Sequence, residues 1–444
     1  MRVLLTVLAV LLAPLATLAQ PLSVQEALLR ATPAVALVIV EVGGGVSVRC
    51  GPSAPPRDVT PPPYRETGTG WFVDASGWLI TNGHVIAAAH RPSPTLVRER
   101  ANQAIREACP SGSTVGASAV PTLEPSITVL LPNGFKLSAT VVKYSLPGAG
   151  EAMSGQDLAL LHLEASDMPT LPLGDSASLQ IGDRIHIVGF PTVVLGHELL
   201  NATAKMEASV TSGAVSGFRQ DRANQPVIQT DAPAAPGNSG GPALNEAGEV
   251  VGVLTFVTVA SDVDRAPVQG FNFIIPSAAV SRFLEGTAVS RRSAGRFNAA
   301  WHAGLRQYFL GNYRRARGDL AEANRLLPEL PDVRRVTADN DARQAREPWL
   351  PWNMVAVAML LVSGAGYAVL AARHWRRNQF RISPSEVARL VDTPDPPVIL
   401  DVRDGAAYAK SPVRIPRSIH APLDALERDR LPVDPEHAVV AYCT

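Results

Sequence analysis

Between Pro33 and Pro276 the apolar positions come in short runs, each cut off by Gly, Pro, Asn or Asp. The runs at 36–42, 70–73, 78–81, 126–131, 138–143, 158–163, 184–189 and 250–255 read as strands. Many short strands at this spacing, with few helical stretches, indicate an all-β sandwich or barrel. The Pro-rich stretch 51–63 and the polar stretch 91–125 interrupt the series and read as surface insertions, the second with one helix at 96–108. After Pro276 the period changes to helical: a closing helix at 277–284, then two helical stretches within 294–336. From 383 onward a short helix alternates with buried strands at 397–402 and 438–442, the pattern of an α/β domain.

Two longer apolar runs do not fit a soluble core. The first follows Arg2 and ends in Ala-Thr-Leu-Ala at Ala19, which is the charged, apolar and small-residue order of a secretory signal. Cleavage is expected after Ala19, with retention as an uncleaved anchor as the alternative. The second spans 353–372 without a charge, long enough for a bilayer core of about 30 Å. Trp349 and Trp352 precede it, and Arg373, Arg376 and Arg377 follow it, so the Arg side should stay cytoplasmic. Residues from about 20 to 350 are then expected outside the cytoplasm and those after 373 inside. Gly364, Ala368 and Ala372 share one face of this helix, a spacing that lets two copies approach closely.

Composition adds an exclusion and a redox division. Lys plus Arg and Asp plus Glu are 40 each, which argues against a nucleic-acid partner. Cys50 and Cys109 fall on the exported side, where a disulfide persists, and Cys443 falls on the cytoplasmic side, where it stays a thiol. A Cys50–Cys109 bridge would close a loop of about 60 residues and add roughly 4 kcal/mol in the chain-entropy model. Two unpaired thiols are the alternative.

Three constellations carry chemistry. Trp78-Leu-Ile-Thr-Asn-Gly-His84-Val puts a histidine at the end of an apolar strand, in a Gly-containing turn at a rim. Asp157 opens the apolar strand Leu-Ala-Leu-Leu-His162. Asp231-Ala-Pro-Ala-Ala-Pro-Gly237-Asn-Ser239-Gly-Gly-Pro242 is the most specific, because glycines around a serine let successive N–H groups converge on one point. A lone His or Asp is more often structural, and the three together are not.

At these residues the chain resembles the trypsin-like serine proteases, most closely their exported HtrA/Deg branch, over about 33–284. Leu173-Gly-Asp-Ser, Gly189-Phe-Pro, Val210-Thr-Ser-Gly and Gly270-Phe-Asn-Phe-Ile-Ile-Pro276 extend the likeness. The order His, Asp, Ser is the chymotrypsin-type order. The resemblance implies a double β-barrel at 20–286 and a triad of His84 as base, Asp157 as its orienting carboxylate and Ser239 as nucleophile. The Gly237 and Ser239 amides would form the oxyanion hole. It implies polypeptide substrates, an apolar residue before the scissile bond, no metal or organic cofactor, and residence at a bacterial inner membrane. The family's peptide-binding PDZ domain has no counterpart after Leu284. Two other functions stand beside cleavage: a non-cleaving, chaperone-like ectodomain, and a transmembrane sulfur relay.

Further on, Gly304, Gly311, Tyr313, Ala316, Leu320, Ala323 and Pro328 resemble one tetratricopeptide repeat over 294–340, with a plain helical spacer as the alternative. Val398-Ile-Leu-Asp401-Val-Arg403, Ile415-Pro416 and Val439-Val-Ala-Tyr-Cys443 resemble a rhodanese domain over 383–444. There Cys443 would open a persulfide-cradling loop, or stand as a structural thiol. Arg417 stands where that family has Gly, and the sequence stops at Thr444, so the likeness covers a truncated domain.

Overall fold

The computed structural model describes residues 23–109, 116–145, 157–221, 224–259, 267–290, 295–347, 352–426, 433–434 and 436–443. The signal segment 1–19 and Trp349 lie outside these. The chain divides after Glu347 into two compact units.

In the first unit, helix α1 (Val24–Ala31) starts at Ser23, whose hydroxyl accepts the Glu26 N–H. There follow β1 (Val35–Gly43), β2 (Val46–Arg49), β3 (Arg57–Val59), β4 (Tyr64–Asp74), β5 (Trp78–Thr81), α2 (Gly83–His90), α3 (Pro94–Ala108), β6 (Ser118–Pro121), β7 (Glu124–Leu130), β8 (Lys136–Tyr144) and β9 (Ala159–Leu163). Six of these strands close into an antiparallel barrel in the order β1-β4-β5-β9-β8-β7. Alternate residues of β1 serve two cores. Ala36, Val38 and Val40 pack with Phe72, Leu79 and Leu161, whereas Val35 and Leu37 pack with Trp71, Ile80 and Leu160. Both faces are buried over 35–40, which is why that stretch reads as continuously apolar.

The second barrel comprises β10 (Arg184–Gly189), β11 (Ser209–Gln220), β12 (Pro226–Thr230), β13 (Pro242–Leu244), β14 (Val250–Val259) and β15 (Pro267–Pro276), in the order β10-β11-β12-β15-β14-β13. Its interior holds Ile185, Ile187, Val215, Ile228, Val251 and Ile274. Val188, Phe190, Val253 and Ile275 join the cluster on the outer face of β1 and so weld one barrel to the other. Strand β11 escaped the apolar pattern because Ser, Thr and Gly fill half of it. Register with β10 and β12, not side-chain hydrophobicity, makes it a strand.

The two stretches read as separate insertions instead fold against each other. β2 pairs with β3 and β6 in a three-stranded sheet, and Ala104 of α3 packs on Val46 and Val48. A Cys50–Cys109 disulfide, with Cα atoms 5.4 Å apart, closes the subdomain. Arg100, 2% exposed, donates to the Pro61 (3.3 Å) and Gly44 (3.2 Å) carbonyls and to that of Pro62. The small core of this subdomain holds Val46, Val48, Ala104 and Cys109.

Helix α4 (Ser277–Phe283) closes the second barrel, and three helices follow, not two: α5 (Arg296–Phe309), α6 (Tyr313–Leu326) and α7 (Pro331–Arg346). Pro331 occupies the first turn of α7, where its missing N–H costs nothing, so a proline that could end a pattern here begins one. These helices are not a spacer. Phe297, Trp301, Leu305 and Leu320 are fully buried in one cluster with Phe72, Leu79 and Leu161 of the first barrel. Trp301 Nε1 donates to the Leu29 carbonyl of α1 (2.8 Å), and the Asn298 amide brackets the Thr170 backbone (3.0 and 2.8 Å). Gly304 permits the α5–α6 crossing, since a Cβ there would lie 2.8 Å from Leu320 Cδ2.

The second unit begins with α8 (Trp352–Asn378), whose most apolar 18-residue stretch within Met354–Asn378 has a mean hydropathy of 2.1 and is not buried. After α9 (Pro384–Val391), strand β16 (Val398–Asp401), α10 (Gly405–Lys410), β17 (Ile419–His420), α11 (Leu423–Leu426) and β18 (Val439–Tyr442) give a parallel sheet ordered β17-β16-β18. Buried Asp401 pairs with Arg403 and accepts the Tyr442 hydroxyl (2.7 Å). Arg417 sits at φ 66°, the left-handed region that glycine enters without strain.

Candidate active site

His84 lies in the first turn of α2, immediately after β5, and not at the strand end that its flanking sequence implies. The chain turns into a helix there because buried Asn82 is anchored, its side-chain amide donating to the Asp157 carbonyl (2.8 Å). Asp157 precedes β9, the neighbour of β5 in the barrel, so the register of two strands brings the pair together. Its carboxylate is fully buried and takes three donors: the His84 N–H on Oδ1 (2.7 Å), and His84 Nδ1 (2.5 Å) and the Thr255 hydroxyl (2.8 Å) on Oδ2. A buried carboxylate needs such satisfaction to remain ionised. Accepting from Nδ1, it fixes the tautomer and leaves Nε2 free to take a proton.

Burial alone pulls the His84 imidazole toward the neutral form. The Asp157 hydrogen bond, the Asp157 charge and the Glu66 charge outweigh it, and the histidine ends above its ordinary value of 6.5. Glu66 shares a cavity of about 240 Å³ with His84, walled by Tyr64 and by Leu96 and Glu99 of α3. Burial raises Glu66 above the usual carboxylate range, against the lowering effect of the Tyr64 hydroxyl (3.1 Å) and of His84. Tyr64 is itself pushed up to about 12, by burial first and then by Glu66.

Ser239 lies in the turn between β12 and β13. In this turn the Asn238 N–H donates to Ala235 O (3.1 Å), the Gly240 N–H to Leu254 O (2.8 Å) and the Gly241 N–H to Asn238 O (2.9 Å). The Gly237 and Ser239 amides have no acceptor among the described residues, which leaves two open donors beside the hydroxyl. Gly237 adopts φ 95°, and a Cβ there would lie 2.4 Å from Phe190 O, so only glycine serves. The Ser239 hydroxyl donates to Thr255 O (3.3 Å) rather than to His84. One residue, Thr255, thereby contacts both Asp157 and Ser239.

The sequence reading missed Thr255, Asn82 and Glu66. Thr255 had a faint signal, a single hydroxyl residue ending the apolar run 250–254. Glu66 had none. Asp231, which precedes Ser239 in sequence, accepts the Ala214 N–H (2.6 Å), and Ala232 and Ala234 are buried in the second barrel core. Cys50 and Cys109 lie in the insertion subdomain, and exposed Cys443 follows β18 in the second unit.

Residues 68–253 match the model of the trypsin-like peptidase domain. A probable periplasmic serine endoprotease DegP-like of Hahella chejuensis is 30% identical over 225 residues, which are 50% of this chain and 35% of the relative. The putative serine protease HhoA of Synechocystis sp. is 31% identical over 211 residues, 47% of this chain and 40% of the relative. The solved HtrA-type protease AlgW with decapeptide aligns at 25% identity over 59% of this chain and 66% of that one, with a TM-score of 0.37. The chain spans little more than a third of the length of the curated relatives it matches. Two six-stranded barrels, the buried His84–Asp157 pair on one and the glycine-flanked Ser239 on the other accompany the match of residues 68–253 to the trypsin-like peptidase domain, and the chain is similar to DegP-like serine endoproteases.

Proposed function

We propose that the protein is a membrane-anchored serine endopeptidase that cleaves exported polypeptides outside the cytoplasm. The observation that carries the reading is the union of the buried Asp157–His84 pair with a serine turn whose two open amides are those flanking an oxyanion position. Substrate entry turns the Ser239 hydroxyl from Thr255 O toward His84 Nε2. As Oγ bonds to the scissile carbonyl carbon, its proton passes to Nε2, and the carbonyl electrons move to an oxygen held by the Gly237 and Ser239 N–H groups. Collapse breaks the C–N bond, His84 returns the proton to the leaving amine, and water releases the acyl group by the same steps. Asp157 orients the ring and stabilises the imidazolium. Anchoring is supported by the uniformly apolar α8 and its Arg-rich end, and the exported location by relatives described as periplasmic. The parallel sheet with Cys443 after β18 supports a rhodanese-like second unit.

Ser239→Ala in the full chain should abolish casein hydrolysis and labelling by a fluorophosphonate while the circular dichroism spectrum is retained. Full hydrolysis by the purified alanine variant would overturn the assignment.

A further inference from the structure

Gly237 presents one of the two open amides, yet glycine fixes no backbone conformation by itself. Something else must hold the peptide planes on either side of it. In a trans peptide the C=O and N–H point in opposite directions, so clamping one oxygen aims the next amide. The Pro236 carbonyl receives two bonds from Thr192, one from its N–H (2.8 Å) and one from its hydroxyl (3.1 Å). With that oxygen drawn toward Thr192, the Gly237 N–H must face the other way. On the far side of Gly237, its own carbonyl accepts the Thr69 hydroxyl (2.7 Å).

Thr69 is fully buried and every polar atom it has is engaged. Its hydroxyl accepts the Phe190 N–H (3.0 Å) while donating to Gly237. Its N–H donates to the Ser239 carbonyl (2.8 Å), and its own carbonyl accepts the Thr81 hydroxyl (2.7 Å). It belongs to β4 of the first barrel, whereas Gly237, Ser239 and Thr192 belong to the second. The base and the oxyanion donors thus sit on different barrels, and Thr69 ties the two.

We propose that Thr69 and Thr192 are positioning residues of the oxyanion site, together locking both peptide planes around Gly237 so that its N–H faces the reacting carbonyl. Neither touches substrate. This rests on the serine-peptidase reading. Release of Pro236 O from Thr192 would let that plane rotate and put an oxygen where the oxyanion must form. Such an enzyme would still bind substrate but would stabilise the transition state poorly, so the deficit should fall on kcat.

The test uses the full chain in detergent and a fluorogenic peptide copied from a casein cleavage site. Thr69→Val should lower kcat about a hundredfold, the usual scale for loss of an oxyanion donor, with KM within about twofold. Thr69→Ser, which restores the hydroxyl, should recover most of it. Thr192→Val, at an exposed position where the backbone bond survives, should lower kcat about fivefold with unchanged melting temperature. Wild-type kcat in Thr192→Val, or failure of serine to rescue a folded Thr69→Val enzyme, would overturn the proposal. Should Thr69→Val not fold, Thr192→Val decides alone. A wild-type protein that neither cleaves casein nor reacts with a fluorophosphonate would instead sink the peptidase reading beneath it.

Discussion

Replacing Trp301 by alanine tests whether the helices after the barrels share the core of the first barrel or merely follow it. The indole is fully buried among residues of α5, α6 and the first barrel, and its Nε1 donates to the Leu29 carbonyl (2.8 Å). Truncation of a buried aromatic in such a setting costs about 3–5 kcal/mol through lost transfer energy and the cavity left behind. Stranding the Leu29 carbonyl adds about 1 kcal/mol. At roughly 2 °C per kcal/mol for a unit of this size, the melting temperature should fall by about 8–12 °C. Trp301→Phe keeps most of the volume and loses only the donor, so its drop should be about a quarter of that. The assay is thermal unfolding of the full chain in detergent, followed in parallel by far-ultraviolet circular dichroism and by residual fluorophosphonate labelling. Because one core serves both helices and barrel, the two signals should be lost together. A Trp301→Ala shift below about 2 °C, or helices that melt while labelling persists, would refute the shared core.

Two further perturbations address the site and the insertion. In the proposed mechanism His84 must be neutral to act as the base, and it is held above 6.5, so the acid limb of the kcat/KM profile should lie above that value. Glu66→Gln removes one of the charges that favour the imidazolium and should move the limb to lower pH, leaving the plateau rate nearly unchanged; Asp157, Tyr64, Glu99, Arg91 and Tyr144 also face this region and stay in place. An unmoved limb would remove Glu66 from the electrostatics of the base. Maleimide labelling in denaturant should count one thiol per chain before reduction and three after, and Cys109→Ser should cost about 4 kcal/mol. Three thiols before reduction would dismiss the bridge.

Much of this chemistry was legible along the chain because it depends on local patterns. Glycines flanking Ser239 announce a turn in any context, and the run of apolar residues before His84 announces a strand delivering it to a rim. The apolar stretch of α8 stands out by length alone. The two-faced burial of the first part of β1 is visible too, as an unbroken apolar run over 35–40 where a half-exposed strand would alternate.

What the tertiary structure decided are the contacts between segments distant in sequence. Residues 51–63 and 91–125 each look like free loops, and only their pairing through β2, β3 and β6 makes them a subdomain. Strand β11 has a weak hydrophobic signal, diluted by Ser, Thr and Gly, and is fixed by backbone pairing with its neighbours. The spacer-like helices gain their role from Trp301 and Phe297 meeting a barrel more than a hundred residues earlier. At the site itself, Asp157 and His84 are 73 residues apart, Thr255 is 98 from Asp157, and Thr69 is 168 from Gly237. Local sequence sets which groups are available for catalysis. Closure of two barrels against each other sets which hydroxyl holds which carbonyl, because a hydrogen bond is read by distance in space, and the sequence records only distance along the chain.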